Sequence, residues 1–545
     1  MTWSPPAWSR SAVPRGMHDL PVPQQHLVAI LDRQAENYGS RLLLRAGKKE
    51  RTFEQARDLA AEAASTLARA GIKPGERVAA LCANRVELID YLLGCAWLGA
   101  ICVPLNIAQR GGALSHALAD SGARALLIDR PLVDHLDLVR RPANLEFLWS
   151  LDGIPTAGPS SYSFVELPPT GSPLPPCTPH PGDTATILYT SGTTGPAKGV
   201  MCSHGQLYWF GGMLTQTLRL APDAVIYSCL PLFHINALAT FMAALMSGAT
   251  LHLDERFSAS RYWQRVIDVH ATHFCMLGAM SGMVLAQPGS PAERAHRATT
   301  AFVPDLAPAA WEEFVTRFGV EEVITSYAST ETNQAIAFVG RRSVLGTMGY
   351  VVEGFQARLV DEFDVDVPLG EAGELLLRAD HPYAFSTGYF GRPEETLRTR
   401  RNFWFHTGDR AVQEPDGRYR FVDRKKDAIR RRGENVSSWE VEQAMLTHPA
   451  VLEVAVFGVP SEWGEDDVMA AVVTKPDVQL TPRELIDHLV PLLSRFAIPR
   501  YLEFVDSLPH TENGKVRKAT LRERGVTVTT WREDATRGAV IAPRG

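Results

Sequence analysis

Residues Thr186 to Val200 read TILYTSGTTGPAKGV. Apolar residues lead into Thr190-Ser191-Gly192-Thr193-Thr194-Gly195-Pro196-Ala197-Lys198-Gly199. Small residues let backbone N–H groups close around an anion, the hydroxyls add donors, and Lys198 adds positive charge. The stretch therefore predicts a phosphate-binding loop. It is not a Walker A loop, because Ala197-Lys198-Gly199 stands where that motif needs Gly-Lys-Ser/Thr. Without that hydroxyl a Mg²⁺ ion must be held elsewhere. A solvated turn bearing one lysine has a similar composition, so the surrounding chain has to decide.

Upstream, Thr52-Phe53-Glu54-Gln55 reads as a capping box, with Leu59, Ala63 and Leu67 at helical spacing and Gly71 as the stop. Val78 to Ala83 reads as a buried strand, Val86 to Leu98 as a helix, and Ile101 to Leu105 as the next strand. Such alternation with short connections implies a parallel, doubly wound α/β sheet. Residues 155–182 are rich in Pro, Ser and Thr and predict a surface connection, with a short strand at Ser163 to Leu167. A second α/β region runs to about residue 425, followed by the basic stretch DRKKDAIRRRGE, Asp423 to Glu434. Beyond it the pattern predicts helices at Ser438 to Leu446 and Thr481 to Leu493, and strands at Leu452 to Gly458 and Met469 to Thr474. The stretch from Val526 to Gly545 carries no strong pattern and predicts a loosely held tail.

A chain of 545 residues predicts two to four domains, and 45% hydrophobic with 21% charged residues is ordinary globular composition. A net charge of −6 gives no hint of a nucleic-acid surface. The seven cysteines are scattered, without C-x-x-C or zinc spacing, which predicts reduced thiols and a cytoplasmic location. The opening MTWSPPAWSRSAVPRGMHDLPVPQQHL lacks a signal-peptide apolar core, and no apolar run is long enough to span a membrane. A homodimer is compatible with all of this.

The loop SGTTG followed by P-x-K-G resembles that of the adenylate-forming superfamily, which includes acyl-CoA synthetases, peptide-synthetase adenylation domains and firefly luciferases. Further segments agree in the family's order, and the similarity covers nearly all of residues 25–522. The resemblance implies that Thr190, Ser191, Gly192, Thr193, Thr194, Gly195 and Lys198 hold nucleotide phosphates. SYASTETN, Ser326 to Asn333, resembles the family's Y-G-x-T-E segment. This implies Tyr327 against adenine, Thr330 on the α-phosphate and Glu331 on Mg²⁺. Ala328 replaces the usual glycine and implies a narrowed acyl or nucleotide pocket. WFHTGDRA, Trp404 to Ala411, resembles W-x-x-T-G-D and implies Asp409 on the ribose hydroxyls, a diol that a carboxylate can accept from twice. FVDRKKD, Phe421 to Asp427, resembles the interdomain segment. There Phe421 and Arg424 are implied nucleotide contacts and Lys426 the hinge. LPHTENGKVRK, Leu508 to Lys518, resembles the segment of the catalytic lysine, which maps to Lys515. LPLFHINA, Leu230 to Ala237, resembles the acyl-site segment, with His234 near the substrate carboxylate. AFVPDLAP, Ala301 to Pro308, departs from the Gly-Gly-Ala/Ser-Pro stretch that many relatives carry along the adenine.

The implied fold is α/β. A large N-terminal domain, residues 1–425, has doubly wound mixed sheets and a small β-barrel-like part. A small, mobile α+β C-terminal domain, residues 426–545, carries Lys515. The implied activity is AMP-forming acyl-CoA synthesis with ATP, Mg²⁺ and coenzyme A. The resemblance implies that Arg432, Gly433 and Glu434 line the thiol channel, Gly433 suiting a channel wall because it has no side chain. Arg430, Arg431 and Arg432 are basic enough to pair with coenzyme A phosphates. The wider pattern is most similar to the carnitine/crotonobetaine-CoA ligase-like branch, and a quaternary ammonium acid would need an aromatic cage. Tyr208, Trp209, Phe210 and Phe233 are the candidates, and ordinary core packing is the alternative. Medium-chain, aromatic and steroid-derived acids stay open. So do a carrier-protein thiol or an amine as acceptor, and a non-catalytic nucleotide-binding role.

Overall fold

A computed structural model of the chain describes residues 20–137, 139–155, 162–190, 197–304, 306, 308–424, 429–431, 434–461, 466–493, 495–510 and 515–533. Two seven-stranded sheets dominate it. In one, the order is Glu322–Ile324, Thr300–Phe302, His273–Cys275, Val225–Ser228, Thr250–Leu253, Leu42–Ala46 and Lys49–Thr52, parallel except for the last. In the other, Gly388–Tyr389, Lys198–Ser203, Thr184–Thr190, Ile101–Pro104, Arg77–Leu81, Ala125–Ile128 and Phe147–Ser150 follow one another. Its first three strands are mutually antiparallel and the rest are parallel.

The sheets share one core. Leu44, Ile226 and Leu251 from the first sheet and Val78, Cys102 and Leu188 from the second belong to a single buried cluster. The helices Leu27–Tyr38, Phe53–Arg69, Val86–Leu98, His204–Thr217 and Ile235–Ser247 contribute to it as well. The outer face of each sheet carries its own smaller cluster. Thr52 starts the helix Phe53–Arg69 as expected: its hydroxyl accepts from Gln55 N at 3.1 Å, and the Gln55 side chain accepts from Thr52 N at 3.0 Å. The helix Val86–Leu98 begins and ends where its periodicity predicts.

A three-stranded antiparallel sheet (Ser326–Ser329, Asn333–Ala337, Tyr350–Val351) lies beside a four-stranded one (Phe355–Val360, Ala372–Ala379, Phe405–Gln413, Tyr419–Arg424). A bridge between Gly349 and Tyr419 joins the two, forming the barrel-like part. From residue 429 onward the chain builds the hairpin Ile429–Arg431/Glu434–Val436. It then adds a sheet of Val451–Pro460, Asp466–Thr474, Tyr501–Phe504 and Trp531–Arg532, flanked by the helices Ser438–Leu446, Pro482–Leu489 and Lys518–Arg524. Two clusters of buried residues belong to this part.

Three expectations need correction. Residues 163–167 form no strand: Val165 N donates to Leu148 O at 3.0 Å, but Pro168 and Pro169 cannot extend a ladder. The helix after Thr481 ends at Leu489 rather than Leu493, because Pro491 cannot donate into a further turn. The final stretch is held in part, Trp531–Arg532 pairing antiparallel with Tyr501–Phe504.

One close helix–helix approach depends on a missing side chain. A Cβ built at Gly94 would lie 2.5 Å from the Ala63 Cβ. Gly94→Ala is therefore expected to lower the free energy of urea unfolding by about 1–3 kcal/mol. Gly112→Ala, where nothing lies within 4 Å, should leave stability unchanged or slightly raised.

Candidate active site

The phosphate-loop segment turns out to close a β-hairpin. The strands Thr184–Thr190 and Lys198–Ser203 pair antiparallel, with Thr190 opposite Lys198. Ser191, Gly192, Thr193, Thr194 and Gly195 lie outside the described residues, so the structure speaks to the base of the loop. There the Lys198 ammonium is ion-paired with Glu395 and stands 5.4 Å from the centre of the Tyr389 ring. Tyr389 reaches this place because Gly388–Tyr389 adds to the edge of the same sheet, with Tyr389 opposite Val200.

The Tyr389 hydroxyl donates to Glu331 Oε1 at 2.9 Å. Glu331 sits in the turn between Ser326–Ser329 and Asn333–Ala337, and its carbonyl accepts from Ser386 N at 2.9 Å. The neighbouring Thr330 carbonyl accepts from Gln206 Nε2 at 2.7 Å. Burial first, and the Glu331 carboxylate second, push the Tyr389 phenol well above its usual range, so it remains a donor. Glu331 is a single half-buried carboxylate, and among the described residues no three acidic, His or Cys side chains gather into a metal cage. That donor set fits Mg²⁺ carried in by a triphosphate, because Mg²⁺ takes one or two carboxylates and fills its octahedron with phosphate oxygen and water.

At the other end of the same segment the Tyr327 hydroxyl donates to Asp409 Oδ2 at 2.6 Å. Arg424 Nε lies 3.3 Å from Asp409 Oδ1, its residue directly opposite in the ladder. Both Tyr327 and Asp409 are buried. Burial first, and Asp409 second, raise the Tyr327 phenol far above its usual range. Phe421, in the strand with Arg424, meets Trp439 edge-on at 6.2 Å. Ala328 is exposed between the two ends of the segment. Ala301, Phe302 and Val303 are buried where the glycine-free departure falls.

His234 stands immediately before the helix Ile235–Ser247, its ring 4.5 Å from that of buried Phe233. Of the four cage candidates, Tyr208 and Trp209 meet edge-on at 5.2 Å, and Phe233 meets His234. Tyr208 and Phe210 lie in the core between the sheets, and the Trp209 ring is stacked on His381 at 3.8 Å and 13°. Burial lowers the His381 pKa, so a neutral imidazole covers one face that a quaternary ammonium would need. Tyr208 and Phe210 face different ways on a helix that is buried on nearly every side, so both enter the core.

Lys515 is exposed, next to Val516, whose backbone bridges His510. His510 is in turn ion-paired with Glu453. Lys426, Arg432 and Gly433 lie outside the described residues, as do the side chains of Arg430 and Glu434. Arg431 is buried and engaged within its own part of the fold. Its Nε lies 3.0 Å from buried Asp467, which Arg500 also pairs, and its Nη1 donates to the Phe496 and Ile498 carbonyls at 2.8 Å.

A network invisible to motif reading lies beside it. Asp423 Oδ2 accepts from Ser438 N at 2.6 Å. Lys518 Nζ lies 2.6 Å from Ser438 Oγ and 2.8 Å from Glu442. Burial raises the pKa of both Asp423 and Glu442, and Lys518 opposes that rise. Tyr389, Gln206 and Glu395 were also missed. Each meets its partner across more than a hundred residues or by way of a sheet edge, where local pattern carries no signal.

Residues 31–390 match the AMP-binding enzyme family, and residues 440–515 match the AMP-binding enzyme C-terminal domain. The chain is 33% identical to the medium/long-chain-fatty-acid–CoA ligase FadD6 of Mycobacterium tuberculosis, over 91% of this chain and 85% of that protein. It is 30% identical to the crotonobetaine/carnitine–CoA ligase of Citrobacter koseri, over 91% and 99% respectively. The crystal structure of the anthranilate CoA ligase AuaEII with anthranoyl-AMP superposes with a TM-score of 0.84 at 25% identity, covering 94% of this chain and 99% of that one. This chain belongs to the AMP-binding enzyme family, with its α/β fold of large sheets and a smaller C-terminal part.

Asp467→Asn would leave Arg431 and Arg500 without a buried counter-charge. A loss of about 3–5 kcal/mol is expected for the part that carries Lys515, read as a lowered thermal midpoint.

Proposed function

We propose that this chain is an AMP-forming acyl-CoA synthetase whose cleft runs from Tyr327–Asp409–Arg424 at the nucleoside end to Lys198–Tyr389–Glu331 at the phosphate end. The observation that carries this reading is the convergence of those two clusters on one short segment, residues 327–331. Asp409 accepts from the ribose hydroxyls, Arg424 approaches ribose or α-phosphate, and Tyr327 and Phe421 flank the base. Thr190 and the loop to Gly195 cradle the triphosphate with Lys198.

In the first half-reaction a substrate carboxylate oxygen attacks the α-phosphorus. The bond to the bridging oxygen breaks, and pyrophosphate leaves with that electron pair. No protein nucleophile is needed: Lys198, Thr330 and Lys515 neutralise charge and hold the groups in line. Glu331 would hold Mg²⁺, which when bound offsets the charge of the phosphate oxygens. His234 lines the carboxylate end of the acyl site with Phe233, and Trp209 and Ala328 border it. In the second half-reaction a thiol sulfur attacks the acyl carbonyl and AMP leaves. The units 1–425 and 426–545 turn about Lys426, so that Arg432, Gly433 and Glu434 face the thiol channel.

Coverage of Trp209 by His381 supports an apolar acid over a quaternary ammonium one. Coenzyme A is the acceptor in this reading. A carrier-protein thiol is the second, supported by 32% identity to the fatty acid–[acyl-carrier-protein] ligase ScoC of Streptomyces coeruleorubidus over 87% of this chain. Seven free cysteines suit a reducing cytoplasm, and among the described residues no helix is long and apolar enough to cross a membrane.

A panel of carboxylic acids with ATP and either coenzyme A or a carrier protein, read as AMP release, tests the reading; no AMP with any acid would refute it. Asp409→Asn should weaken AMP binding by about 1.5–3 kcal/mol, measured by calorimetry. Lys515→Ala should cut acid-dependent pyrophosphate exchange by roughly 10²–10³-fold while ATP still binds. Gly433→Leu should spare that exchange and block thioester formation.

A further inference from the structure

The Lys198 ammonium has a resident partner. Its counter-ion Glu395 lies on the short helix Pro393–Thr399, and the Lys198 and Glu395 side chains are 18% and 20% exposed, so solvent screens the pair only in part. Glu395 has a second cation at hand, Arg398 of the same helix, with Nη2 at 2.6 Å and a side chain 69% exposed. Lys198 first, and Arg398 after it, hold the Glu395 carboxyl below its usual range, so it is an anion at neutral pH.

We propose that Glu395 competes with the phosphate oxygens of ATP and pyrophosphate for the Lys198 ammonium, and so sets how readily pyrophosphate leaves. This rests on the phosphate-binding role of Lys198 proposed above. The backbone at Lys198 is pinned: Thr190 pairs with Lys198, and Phe390 N donates to Gly199 O at 2.8 Å. The four-carbon stem, by contrast, can re-aim the ammonium by rotamer change alone. The Tyr389 ring guides that movement, with the ammonium over its face and its hydroxyl on Glu331, the carboxylate proposed for the cation of the nucleotide. When Lys198 swings to phosphate, Arg398 keeps Glu395 paired, so the exchange uncovers no lone carboxylate. When pyrophosphate leaves, Glu395 takes the ammonium back. The exchange moves charge between partners and breaks no covalent bond.

Glu395→Gln removes the competitor. Calorimetric titration with inorganic pyrophosphate should show binding roughly three- to tenfold tighter than wild type, the range expected for a half-buried ion pair. Product inhibition by pyrophosphate should strengthen in step. Arg398→Gln leaves Glu395 with Lys198 alone and should shift pyrophosphate affinity the opposite way, which a folding defect common to both variants could not produce. In a Lys198→Met background, Glu395→Gln should change nothing. Unchanged or weaker pyrophosphate binding by Glu395→Gln, or an effect that survives Lys198→Met, overturns the proposal while the synthetase reading stands. Wild-type protein that binds neither ATP nor pyrophosphate would remove both.

Discussion

The hydrogen bond from the Tyr327 hydroxyl to the Asp409 carboxylate ties the edge strand of one antiparallel sheet to an interior strand of another. It is short, buried and charge-assisted, the kind of contact that a loosened partner would leave costly and unpaired. Arg424 completes it from the neighbouring strand. With that corner fixed, residues 328–331 have one course to follow. The turn delivers Glu331 to Tyr389 and so to the foot of the phosphate hairpin.

The phosphate end depends on a second economy, the use of an edge strand. Two residues, Gly388 and Tyr389, extend a seven-stranded sheet by one short rung. That rung sets one aromatic ring against the Lys198 ammonium and its hydroxyl on the Glu331 carboxylate. Lys198 is paired with Glu395, and Glu331 with the Tyr389 hydroxyl.

The part of the chain beyond residue 429 is anchored by buried charge pairs. Asp467 between Arg431 and Arg500 pins the hairpin 429–436, and Lys518 joins Ser438 and Glu442 close to Lys515. Breaking such pairs costs more than forming them gains, so they specify one arrangement rather than merely adding stability.

The helix Val86–Leu98, the capping box at Thr52 and the helix Ser438–Leu446 were legible in the sequence, because caps and apolar period act over a few residues. Lys198, Tyr327, Glu331, Asp409 and Arg424 were singled out by segments whose residue types suit phosphate, ribose or cation, and the fold brings Tyr327 and Arg424 to Asp409. What the sequence by itself could not determine was company. That Trp209 is stacked on His381, that Arg431 serves Asp467, and that Lys198 answers to Glu395 were decided by tertiary structure alone. The physical reason is range: propensity and capping are local, whereas a salt bridge or a ring stack forms wherever folding brings two side chains within a few ångströms, whatever their separation along the chain.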